Sequence, residues 1–316
     1  MEILFLKETP TMADYKILKR LNCIAQLIKA NPNFSKKEII HRLRQDYDVD
    51  LTERTFERDK NILEVDFGIV ITYNHKTRGY TLEENEEALS QFFKFAQFAA
   101  MAELYENGFK DYKSFQKWVL PEDTTNFSGV QHFKKLIQAI AANHKISFLK
   151  ENYYGATNKP YIVSPLCLKE YANRWYLIAV VDGESEIKNF GIDRLSQIEI
   201  KNIKSLQLDD FQKQLKQYDD VVGLNYTESK SKSPEKIVIK AHNNQIKYLR
   251  SLPIHKSQIC INGIDNQWGQ VTYVLKPNYE FEIQILKLGN MVEVLEPIWF
   301  REKIKKHISE MYHLYK

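Results

Sequence analysis

Asp193 and Arg194 stand side by side in a stretch, Phe190–Leu195, that otherwise reads as a β-strand. Successive strand side chains point to opposite faces, so one of these two charges should line a groove or a cavity. An apolar run, Trp175 to Val181, precedes it between turn-like Asn173-Arg174 and Asp182-Gly183, and also reads as a strand. Far upstream, Arg54 and Arg58 lie four apart in a segment of helical pattern, a spacing that makes them project together.

Other chemistry is missing from the residue patterns. There is no G-x-x-x-x-G-K-[ST], H-E-x-x-H or G-x-S-x-G motif and no Cys/His cluster, so no enzyme, no metal site and no cofactor is expected. Cys23, Cys167 and Cys260 are odd in number and far apart. They are expected to be small buried apolar residues.

The elements that must position these groups come in blocks. A chain of 316 residues exceeds one ordinary core, so two or three domains are expected. No apolar run is long enough for a membrane span. The start lacks the pattern of a signal peptide, so a cytoplasmic protein is expected. Net charge is only +4, but residues 82–130 carry nine acidic and four basic side chains and separate two mildly basic blocks.

Residues 1–13 read as a loose tail. Ile17, Leu18, Leu21, Ile24, Ala25 and Ile28 then recur at helical spacing up to Asn31-Pro32. Ser35 and Glu38 form a capping box for a second helix. Thr52 caps a third, Glu53 to Val65, whose Phe56 and Leu63 share one face. Gly68–Tyr73 and Tyr80–Leu82 flank a turn with Lys76 and Arg78, a hairpin with a basic tip. Three short helices and a hairpin predict a winged helix-turn-helix over residues 1–82, its third helix able to enter a major groove. Glu53 and Glu57 on that helix count against phosphate binding.

Thr52-Glu53-Arg54-Thr55-Phe56-Glu57-Arg58-Asp59, with Gly79-Tyr80-Thr81-Leu82, resembles the recognition helix and wing end of bacterial winged-helix regulators. The resemblance implies that Arg54, Thr55 and Arg58 contact DNA and that Lys76 and Arg78 touch phosphates. Ser35, Thr52 and Asn61 complete the candidate double-stranded DNA-binding set. Arg58-Asp59 has a second reading, in which Asp59 holds a neighbouring helix by a salt bridge.

Residues 83–130 form a helical connector. Leu89, Phe92, Phe93, Phe95, Ala96, Phe98 and Leu104 make its helix apolar on most sides, which suits a homodimer seam. A second helix is expected from Asp111 to Trp118.

In residues 131–206, Trp175-Tyr176-Leu177, the Phe190-Gly191-Ile192-Asp193-Arg194-Leu195 stretch and Pro165-Leu166-Cys167-Leu168 resemble the WYL domain. That likeness implies a small SH3-like β-barrel with a ligand pocket at Tyr176 and Arg194, joined by Tyr153, Lys159 and Tyr161. An arginine among tyrosines suits a nucleotide or oligonucleotide effector, because guanidinium is a planar fork for phosphate and aromatic faces stack bases. Trp175, facing away from Tyr176, reads as core.

Residues 207–232 read as a loose polar linker. Residues 233–316 follow the order β-α-β-β-α-β plus a helix, a ferredoxin-like module. Gly289–Pro297 resembles the C-terminal extension that follows WYL domains. The whole reads as an α+β multidomain chain: a homodimeric DNA-binding transcription regulator with a ligand-sensing WYL domain. The alternative is a nucleic-acid-binding accessory factor of a larger DNA-processing or phage-defence system.

Overall fold

The computed structural model describes residues 12–83, 85–108, 113, 117, 119, 128–152, 157–227, 233–263 and 267–316. Most of the predicted helix Asp111–Trp118, Tyr153 and most of the loose tail therefore lie outside the described residues. The fold is mixed α/β, with a helical N-terminal part and several antiparallel sheets. It divides into two compact units, Met1–Glu122 and Asp123–Lys316.

In the first unit, α1 (Met12–Ala30), α2 (Lys36–Tyr47) and α3 (Glu53–Phe67) precede a hairpin of β1 (Ile71–Asn74) and β2 (Gly79–Leu82), then α4 (Glu86–Gly108). The predicted tail gives way to helix at Met12. Leu21, Ile24, Ala25 and Ile28 of α1 meet Ile39 and Leu43 of α2 and Phe56 and Leu63 of α3 in one core. The helix ends follow from local chemistry. Ser35 and Glu38 make the reciprocal capping box of α2, which satisfies two otherwise orphaned donors. Thr52 caps α3, and Gly68 ends it in the left-handed region at φ 65°, where a side chain would be strained.

The second unit begins with α5 (Phe133–Ala141) and a five-stranded sheet of β3 (His144–Glu151), β4 (Asn158–Tyr171), β5 (Arg174–Val181), β6 (Ile187–Gly191) and β7 (Leu195–Lys204). The strand order is β6-β5-β4-β3-β7. Among the described residues β6 and β7 do not pair, so the sheet has two edges and is not the closed barrel expected. The predicted strand Phe190–Leu195 is also corrected. The chain leaves β6 at Gly191, makes a 3₁₀ turn over Ile192–Arg194, and enters β7 at Leu195. Strand alternation therefore does not place Asp193 and Arg194.

Two cores lie on opposite faces of this sheet. Phe148, Val163, Leu177, Ala179 and Phe190 pack with Leu136 and Ala139 of α5. Leu166, Ile178, Val180 and Ile187 pack with Phe211 and Tyr218. The second core corrects the loose-linker reading. Residues 208–220 form short helical turns, and Phe211, Tyr218, Val221, Val222 and Leu224 are buried. Polar spacing hid a strap that covers a sheet face.

The chain closes with β8 (Glu235–His242), α6 (Asn243–Ser251), β9 (Ile259–Ile261), β10 (Trp268–Leu275), α7 (Tyr279–Lys287), β11 (Val292–Glu296) and α8 (Ile298–Leu314). The antiparallel order is β11-β8-β10-β9.

Candidate nucleic-acid surface and candidate ligand groove

Helix α3 turns Phe56, Asp59 and Leu63 inward. Arg54, Arg58 and Asn61, at spacings of four and three, form an exposed stripe on the other side, with Thr52 exposed at its start. Thr55 is half-buried; its N–H donates to Thr52 Oγ1 at 3.2 Å and the two hydroxyls are 3.0 Å apart. Thr55 is thus occupied in capping. Ser35 is similarly engaged: its hydroxyl donates to Glu38 Oε2 at 2.6 Å and accepts the Glu38 N–H at 3.3 Å. The structure therefore brings Thr52, Arg54, Arg58 and Asn61 onto one surface and gives Ser35 and Thr55 local structural work.

Asp59 takes the salt-bridging role of the second reading. It is 0% exposed, and Arg20 of α1 donates to it through Nε and, at 2.9 Å, through Nη2. Arg58 Nη2 lies 3.4 Å from Asp59 Oδ1. Sequence holds a signal for the acid, though not for its partner, because Asp59 falls three after Phe56 and four before Leu63, inside the apolar stripe. An acid there needs a buried partner.

Glu53 and Glu57 of α3 share a lysine from α2. Lys36 Nζ lies 2.5 Å from Glu57 and 4.0 Å from Glu53. The hydrogen bond from Lys36 is the largest of the influences that hold the Glu57 carboxyl below its usual range. Lys36 was missed in the sequence, since nothing local marks a lysine of α2 as neighbour to α3.

The hairpin tip carries exposed His75, Lys76 and Arg78. Asn74 Oδ1 accepts the Lys76 N–H at 2.9 Å, and the Thr77 hydroxyl donates to Asn33 Oδ1 at 2.8 Å. Asn33 N–H donates to Tyr80 O and Tyr80 N–H to Phe34 O, both at 2.9 Å. A Cβ at Gly79 would lie 1.9 Å from the Asn33 carbonyl oxygen, so only glycine lets the hairpin dock there.

In the sheet of the second unit, cross-strand register sorts the predicted ligand residues by face. Tyr176 pairs with Gly191 and with Lys169. Paired residues share a face, and Tyr176 packs with the Leu166–Tyr218 core. At Gly191, an added Cβ would lie 2.7 Å from Asp193 Oδ1 and 3.0 Å and 3.1 Å from Arg194 Nη2 and Nε. Arg194 thus lays its guanidinium over Gly191 on the face that Tyr176 uses. Lys169 Nζ sits 5.5 Å from the Tyr218 ring centre, and the Tyr218 hydroxyl donates to Asn189 Oδ1 at 2.5 Å. Lys169, Tyr218 and Asn189 were missed, because strap and register are invisible locally.

Tyr161 lies on the opposite face. Its ring stacks on Phe148 at 5.7 Å and meets Phe190 edge-on at 5.2 Å. Lys159 Nζ is 5.2 Å from the Tyr161 ring centre, and Lys159 pairs across the strands with Lys150. Like charges directly opposite are unfavourable, so this second cluster suits an anion. The single pocket expected is two separate clusters, Tyr176 with Arg194 and Tyr161 with Lys159. Trp175 is half-buried and meets Phe133 of α5 edge-on at 5.0 Å, as a core residue does.

The three cysteines are unpaired. Burial pushes each thiol above its ordinary value, the opposite of a nucleophilic setting. No group of three or more His, Cys, Asp or Glu among the described residues could hold a metal ion, and no helix there is long and apolar enough to cross a membrane.

Comparison with known proteins places a WYL domain in this chain: the model of that family matches residues 131–200. No curated protein matches. Among solved structures, the chain is similar to proteasome accessory factor B/C (PafBC) of Arthrobacter aurescens, at 16% identity and a TM-score of 0.30, over 92% of this chain and 46% of that one. The chain thus spans about half the length of PafBC. It is also similar to a CRISPR Cas-related protein, at 11% identity and a TM-score of 0.40, over 98% of this chain and 87% of that one.

Proposed function

We propose that this chain is a cytoplasmic, homodimeric, DNA-binding transcription regulator whose WYL domain senses a ligand and shifts DNA affinity. In this reading α1–α3 and the β1–β2 hairpin act as a winged helix-turn-helix, and residues 233–316 as a ferredoxin-like module. One observation carries the proposal. The Arg54–Arg58–Asn61 stripe is exposed while the opposite side of its helix is fixed to α1 through Asp59 and Arg20. A rigidly seated helix with a solvated basic stripe is what major-groove reading needs.

Phosphate contacts would come from Lys76 and Arg78. The dimer seam is α4, where Phe95, Phe98, Met101 and Leu104 are 47–53% exposed; two copies would present two recognition helices to a palindromic site. The effector is a nucleotide or short nucleic acid held by Arg194 and Tyr176. It must bind one dimer geometry more tightly than the other to shift anything.

Genomic binding profiling followed by footprinting tests this reading. A sequence-specific footprint that is lost in Arg54→Ala is the expected result. Binding that is uniform across sequences would instead favour an accessory factor without promoter specificity.

A further inference from the structure

The helices of the C-terminal module all pack on one face of its sheet. Ile246 and Leu249 of α6, Phe281 and Ile285 of α7, and Phe300 and Ile304 of α8 cluster with Ile237, Ile239, Ala241, Val271, Tyr273 and Leu275. Strand alternation sends the residues between these to the other face, where no described helix of the module packs. That face is not an ordinary polar surface. On the two central strands, His242 of β8 pairs with Trp268 of β10, their rings 5.5 Å apart and edge-on. Lys240 Nζ is 5.1 Å from the Trp268 ring centre. Gln270 pairs with Lys240 and, on its other side, with Ile261. Lys236 follows on β8, and Ile259, Ile261 and Val274 are 50–60% exposed.

The charges favour a polyanion. Two acids pair onto this face: Glu293, across from Lys240, is engaged by Arg301 at 2.6 Å, and exposed Glu296 lies across from Val238. Lys236 is exposed and Lys240 half-buried, beside a half-buried indole, imidazole and amide and an exposed apolar strip. An antiparallel sheet with aromatic rings on its central strands and lysines beside them is a platform for unpaired bases: a ring stacks a base and an ammonium meets a phosphate. Paired bases are already stacked and cannot use it.

We infer that the face of the β11-β8-β10-β9 sheet opposite its helices binds single-stranded nucleic acid. Trp268 stacks a base, with His242 beside it. Lys240 and Lys236 hold the backbone, Gln270 meets a base edge, and Ile259, Ile261 and Val274 pack against sugars and bases. This surface is separate from Arg54–Asn61 and from the Tyr176–Arg194 cluster.

The test uses the full chain and fluorescein-labelled single strands of roughly a dozen nucleotides, oligo-dT and oligo-U, with a duplex of similar length, read by anisotropy. Single strands are expected to bind, Trp268→Ala to weaken that binding about tenfold, and Trp268→Phe to keep most of it. Duplex binding should be unchanged in Trp268→Ala. The Arg54→Ala variant should show the converse pattern, so failure of the α3 reading and failure of this one are distinguishable. Preference between oligo-U and oligo-dT identifies RNA or DNA as the source, and either preference supports the proposal. Should Trp268→Ala lower the melting temperature, Lys236→Ala with Lys240→Ala carries the test through a salt dependence shallower by about two counterions. Single strands that do not bind, or that bind equally well to all these variants, overturn the proposal. So does capture of a protein on this face with no oligonucleotide bound.

Discussion

Arg20 and Asp59, 39 residues apart in sequence, form a two-pronged ion pair in which the carboxylate is wholly buried and the guanidinium side chain is 17% exposed. The pair fixes α3 to α1 at the centre of the helix rather than at its ends. Removing one partner leaves a buried charge without compensation, which costs about 3–5 kcal/mol. Arg20→Ala should therefore lower unfolding free energy by about that amount in urea titrations. Loss of under about 1 kcal/mol, the range of surface pairs, would show that the anchor does not hold the helix.

The exposed stripe and the hairpin tip should respond differently. Arg54→Ala should weaken binding to the preferred duplex by about 1–3 kcal/mol and relax its base preference. Lys76→Ala should weaken all sequences alike and make the salt dependence shallower by about one counterion. Affinity measured on specific and scrambled duplexes across a salt series separates the two. Equal losses on both duplexes for Arg54→Ala would leave that arginine as a phosphate contact only.

Gly191 offers a way to move Arg194 without removing its charge. A methyl group there would meet the Asp193 carboxylate and the Arg194 guanidinium within about 3 Å, and side-chain ends can swing aside. Gly191→Ala should thus change stability by less than ~1 kcal/mol while abolishing the effector response, as Arg194→Ala also should. Basal duplex binding should survive in both. A Gly191→Ala protein that answers effector normally, measured by calorimetry against the molecules that co-purify with the wild type, would remove Arg194 from the ligand site.

Local chemistry was legible in the sequence and long-range register was not. The Ser35–Glu38 box, the Thr52 cap and the apolar stripe of Phe56 and Leu63 each depend on residues within one or two helical turns, and each stands where the spacing put it. The turn at Ile192–Arg194 reads as strand because Phe190 and Ile192 keep the period of two up to the break, and the shift to Leu195, three residues on, is the mark it leaves. Tyr161 and Tyr176 were assigned to one pocket because the facing of a side chain follows from its own strand's parity, whereas shared facing needs the pairing of β3, β4 and β5. The strap over residues 208–224 has buried residues at no fixed period, so composition alone made it look like a linker. Arg20 and Lys36 act on α3 from other helices, and only the assembled core reveals them.

His255 makes the joint between strap and C-terminal module sensitive to acid. Its Nε2 is 2.9 Å from the Asp219 carbonyl oxygen, which can only accept, so the ring proton sits there. Its Nδ1 then accepts the Ser257 N–H at 3.2 Å and lies 2.8 Å from the Ser257 hydroxyl. A second proton on Nδ1 would face a donor. Burial, the largest influence, pulls the His255 pKa below its ordinary 6.5, and Lys256 acts in the same direction; the Asp219 carbonyl and the Asp219 and Asp220 carboxylates oppose them. A depressed histidine pKa means that the unfolded chain takes up the proton first as pH falls. Its contribution to stability is complete above about 6.5 and is lost through the window beneath that value. The melting temperature should therefore fall between about pH 7 and about pH 5, and His255→Gln, which cannot titrate, should fall less over the same interval. Hydrogen exchange in residues 216–224 should rise in the wild type across that window, because the strap is held at this joint by Asp219 and, through Lys276 N–H to Asp220 O at 2.6 Å, by its neighbour. Parallel melting curves for the two proteins at both pH values would mean that His255 is titrating without consequence for the joint.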